Sequence, residues 1–83
     1  MAKVTYFVAL PFVMDEEGTL VPGEAQDQQT ASSAIRAAED MAKRYGGAVA
    51  FSRTGDPNIG EFENAVVLKT FGEVPSLDGM LAG

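Results

Sequence analysis

The chain has neither cysteine nor histidine, and it carries only six basic side chains. Without cysteine there is no disulfide staple, no thiolate nucleophile and no cysteine-ligated zinc. Small secreted domains usually depend on such staples, so a reducing compartment is expected. Without histidine the chain lacks the commonest general base, the commonest metal ligand and the physiological pH switch. A Ser-His-Asp triad cannot be assembled from it, and no residue set implies a metal or other cofactor. The shortage of Lys and Arg has a separate consequence. Twelve acids against six bases leave a net charge of −6, which opposes nucleic-acid phosphates and anionic membrane surfaces. Neither is expected as a partner.

Long apolar runs are also missing. The stretch Val4–Met14 has 11 residues and is interrupted by Pro11, too short to span a bilayer. Asp15, Glu16 and Glu17 follow it where a signal peptide would have small residues for cleavage. Cytoplasmic residence is the expectation.

What is present is enough for one domain of 83 residues with a 46% apolar composition. A chain of this size buries about 60–65% of the surface its unfolded form exposes, so its core is thin. Residues 1–75 read as a single α+β domain and 76–83 as a mobile C-terminal tail.

Lys3 to Val13 is rich in β-branched and aromatic residues and reads as a strand. Its even positions (Val4, Tyr6, Val8, Leu10, Phe12) are all apolar, and its odd positions (Thr5, Phe7, Ala9, Pro11, Val13) nearly so. A strand apolar on both faces is expected to be covered on both. The acidic turn at Asp15–Gly18 allows Thr19–Val21 to return as a short hairpin partner. Ala31, Ala34, Ile35, Ala38, Met41, Ala42 and Tyr45 then recur at helical spacing, opposite a face of Ser32, Ser33, Arg36, Glu39, Asp40, Lys43 and Arg44. Asp27 or Thr30 can cap that helix, and Gly46-Gly47 can stop it. Ala48–Arg53 reads as a third strand, residues 54–60 as a loop, and Glu61–Phe71 as a fourth strand. The order β-β-α-β-β predicts a mostly antiparallel four-stranded sheet with one amphipathic helix on one face. The first and fourth strands are expected at its centre.

One helix covers one face, yet two strands are apolar on both. The uncovered residues are sought among Phe7, Val13, Val67 and Phe71. A bare apolar patch of that kind is expected to be buried by a second copy, giving a homodimer, or by another protein partner. The alternative cover is the tail itself, with Leu77, Met80 and Leu81.

For ligand chemistry the candidates are Ser52, Arg53, Thr54 and Asp56, read as a loop at residues 52–60. Two hydroxyls, a guanidinium and a glycine at a strand end can hold phosphate or carboxylate. Turns favour the same residue types for local reasons, and the glycine and lysine spacing of a P-loop is missing. Asp56, Asn58 and Gly60 fail as a calcium loop, because Gly60 stands where an oxygen ligand is needed and Val67 where the closing glutamate belongs. Adjacent acids at Asp15–Glu17, and Glu61 with Glu63 on one strand face, read as solvated carboxylates. The balance favours a small, non-catalytic, self-associating binding or adaptor module, with a small-ligand or phosphate-binding protein as the rival.

The stretch SRTGDPNIGEFENAVVLKTFGEVP, with ALPF and PGEA upstream, resembles small uncharacterised alphaproteobacterial proteins with no assigned activity. The resemblance implies a bacterial cytosolic protein and transfers no site residue.

Overall fold

The helix is specified most completely, and the sheet is arranged around it. In the computed structural model, which describes residues 3–74, helix α1 spans Ala31–Tyr45. Thr30 is its N-cap: extended at φ −139°, it accepts a 3.0 Å hydrogen bond from the Ser33 N–H through its hydroxyl. Lys43 and Arg44 lie in the last turn, where the helix dipole favours cations. Gly46, at φ 97°, takes the left-handed C-terminal position and donates to the Ala42 carbonyl. Asp27, the other candidate cap, lies in a strand instead.

Every strand pairing is antiparallel. Strand β1 (Val4–Met14) and strand β4 (Gly47–Asp56) pair along nine positions, from Val4 with Gly55 to Phe12 with Gly47. Outside β1, a single lane is formed by β2 (Leu20–Pro22) and β3 (Gln26–Gln28). Between them the register slips by one residue, where the Gly23 N–H donates to the Pro11 carbonyl. Outside β4, the other lane is β5 (Glu61–Phe62) followed by β6 (Val66–Gly72). It too slips, between Ala50 and Phe51, leaving Leu68 as the extra residue. The sheet is thus four lanes wide.

The expected fold class is observed, with one change of position. The central strands are β1 and β4, and the apolar stretch Glu61–Phe71 forms an edge lane. Its valines do not require a central place; Val66 and Val67 are both exposed. Ala48 and Ala50 in β4 do require one, because α1 rests on them. The helix-side core is Ala9, Ala34, Ala38, Met41, Ala48 and Ala50, with Phe7, Ile35, Leu68 and Phe71 packed around it. Five of those six core residues are alanine, so the helix sits close to the sheet. The tail assigned to residues 76–83 lies outside the described residues.

Candidate functional site

Strand alternation decides which side chains share a face. Ala9, Ala48 and Ala50 face the helix, and so do their register partners Pro11, Lys69 and Phe71. The opposite face is carried by Val4, Tyr6, Val8, Leu10 and Phe12 of β1, and by Val49, Phe51 and Arg53 of β4. We call this the open face, since no described helix packs on it.

The open face has two unlike halves. At one end Phe12 and Val49 are fully buried. At the other, Val4 (39%), Tyr6 (39%), Phe62 (36%) and Val67 (42%) retain much of their solvent exposure. Val67 pairs with Phe51 and belongs to this face. Phe62 pairs with Gly55 and leans over it, so that a Cβ at Gly55 would collide with the Phe62 ring and backbone. The Phe62 and Tyr6 ring centroids are 6.1 Å apart, tilted at 43°. Above the Phe62 ring, 5.4 Å from its centroid, sits the Arg53 guanidinium. Arg53 Nε is buried and has no hydrogen-bond partner.

This geometry separates the predicted ligand residues. Strand β4 runs to Asp56, so residues 52–56 are strand and not loop. Glycine at position 55 is accommodated there because Phe62 needs the space a side chain would fill. Ser52 and Thr54 point to the helix side, where the Thr54 and Thr5 hydroxyls bond at 2.9 Å. Asp56 accepts from the Asn58 N–H at 2.9 Å and shapes the turn to Gly60, whose φ is 71°. Arg53 points the other way. Its neighbours are Tyr6 and Phe62, which the sequence reading did not connect with it.

The predicted self-association residues are also divided. Phe7 and Phe71 pack against the helix-side core. Val13 is half-buried on that same side and lines a groove of about 240 Å³ with Pro11, Gly23, Met41, Arg44 and Tyr45. Val67 alone of the four is on the open face. A second hollow, of about 380 Å³, is bounded by Lys3, Asp56, Ile59 and Glu61. Two of its polar groups have local duties: Lys3 pairs with Glu63 at 3.1 Å, and Asp56 holds its turn.

No family model, curated protein or solved structure matches the chain.

Among the described residues no three carboxylates gather to hold a metal ion, and no helix is long and apolar enough to cross a membrane. Asp15 closes the β1–β2 turn by accepting from the Glu17 and Thr19 N–H groups. The arrangement that remains for recognition is the aromatic and aliphatic half of the open face with Arg53 set into it.

Proposed function

We propose that this chain is a non-catalytic binding module that associates with itself through the open sheet face. The observation that carries this reading is the group Val4, Tyr6, Phe62 and Val67, exposed together on the face away from the helix. Grouped exposed apolar side chains mark association surfaces. Burying a large apolar side chain contributes roughly 1.5–3 kcal/mol, so even partial burial of four is substantial for a small domain. The edges are poor alternatives, because both outer lanes slip in register and interrupt the ladder a further strand would need. Following the resemblance noted above, the setting proposed is a bacterial cytosol. Sedimentation equilibrium from 1 to 500 micromolar, a range of about the weakness expected of a small interface, tests the reading. A monomer–dimer equilibrium weakened by Val67→Asp supports it, and a monomer throughout removes it.

A second reading is favoured by Arg53. The Arg53 guanidinium, without an ion pair among the described residues and set beside two aromatic rings, suits a small carboxylate or phosphate with an apolar body. Saturable NMR shifts at Tyr6, Arg53 and Phe62, lost in Arg53→Gln, would favour this reading over self-association.

A further inference from the structure

Two identical faces need something to set their relative position, and the open face carries a pair of charges suited to that. Asp27 pairs with Val8 across β3 and β1, so it belongs to the open face. Arg53 pairs with Tyr6 across β4 and β1 and belongs there as well. Within the paired strands these are the charged residues on that face. They lie on opposite flanks of β1, two strand spacings apart and displaced by two residues, so their Cα atoms are about 12 Å apart. Neither has an ion pair: the ion pair found among the described residues joins Lys3 to Glu63. Asp27 is exposed. Between the two charges lie Tyr6, Val8 and Phe51.

We propose that a second copy packs face to face on this sheet so that Arg53 of each copy meets Asp27 of the other. The inference rests on the self-association reading and adds its register. A two-fold axis in the plane between the sheets, bisecting the Arg53–Asp27 line at right angles, exchanges the two positions. It creates two reciprocal ion pairs that bracket an apolar centre, the arrangement of polar rim and apolar core common to protein interfaces. An axis through Arg53 would instead oppose two guanidinium groups, a like-charge contact that disfavours that register. The face is about four lanes by seven residues, roughly 450 Å² per copy, at the small end for specific interfaces. The dimer is therefore weak, and its selectivity depends on these charges.

Charge reversal tests this with the full chain. Asp27→Arg gives a face with two cations and Arg53→Asp a face with two anions. Each variant alone should dimerise about tenfold or more weakly than the wild type. Mixed in equal amounts, they should form a heterodimer at least as tight as the wild-type dimer, seen by sedimentation and by native mass spectrometry. The doubly exchanged chain, Asp27→Arg with Arg53→Asp, should recover self-association, which also guards against a folding defect in either single variant. Equal dimerisation of wild type and both variants, or mixing with no preference for the heterodimer, overturns the register while leaving self-association standing. A wild type that stays monomeric removes both.

Discussion

Phe12→Ala separates the closed half of the open face from its exposed half. Phe12 is fully buried, as is Val49, the other large side chain with no exposure, and both face away from the helix-side core. Removing a buried phenyl costs about 3–5 kcal/mol, from lost transfer energy and the cavity left behind. The whole chain has about 4–12 kcal/mol at the usual stability per residue. The substitution therefore removes about a quarter or more of the total. With a urea slope of about 1–1.5 kcal/mol/M for a domain of this size, the midpoint should fall by about 2–5 M. Tyr6→Ala on the same strand face, 39% exposed, should cost about 1 kcal/mol, the centre of the range for point substitutions. Urea unfolding followed by circular dichroism, at a concentration where the chain is monomeric, measures both. A Phe12→Ala loss below about 1 kcal/mol, or one no larger than that of Tyr6→Ala, would refute the division of the face.

The helix-side contact predicts the opposite kind of sensitivity. Ala38 is fully buried in a core of alanines, so Ala38→Leu forces the helix away and should cost about 1–3 kcal/mol in a denaturant titration. Thr30→Ala removes the hydroxyl that accepts from Ser33 N–H and should lower stability by about 1 kcal/mol, with amide exchange faster in the first helical turn. Gly55→Val should shift the NMR signals of Phe62 and Tyr6, because the added side chain meets the Glu61 carbonyl oxygen and the Phe62 backbone and ring, and pushes β5 away from β4. Lys3→Ala breaks an ion pair whose side chains are 69% and 60% exposed; no measurable change in the unfolding midpoint is expected.

The helix was readable, with its start open only between Asp27 and Thr30, because its signals reinforce one another. Apolar spacing marks the buried stripe Ala34, Ala38 and Met41, Thr30 supplies the cap and Gly46 the stop. Strand β1 was readable from its composition. Strand order was not, since apolar character on both faces proved a poor guide to centrality. Val66 and Val67 sit on an edge, whereas Ala48 and Ala50 occupy the centre because a close-packed helix needs small residues beneath it. Strand β3, with the sequence Gln26-Asp27-Gln28, has no strand signature at all; it forms because the hairpin has already laid that lane beside β1. The strand expected to end at Arg53 runs on through Thr54, Gly55 and Asp56 for a related reason. Its turn-forming residues are held extended by nine paired positions along β1. Once it is a strand, alternation alone places Arg53 on the face opposite Ser52 and Thr54. Its contacts with Phe62 and Tyr6 depend on tertiary pairing and left no mark in local sequence.

The most direct measurement is an isotope-filtered NOE experiment on a mixture of labelled and unlabelled chains, at a concentration that populates the dimer. Contacts between copies should connect open-face side chains with one another, Tyr6 with Tyr6, Phe51 with Val8 and Val67 with Leu10. Intermolecular contacts confined to Ile59, Val66 or the outer surface of α1 would contradict the account.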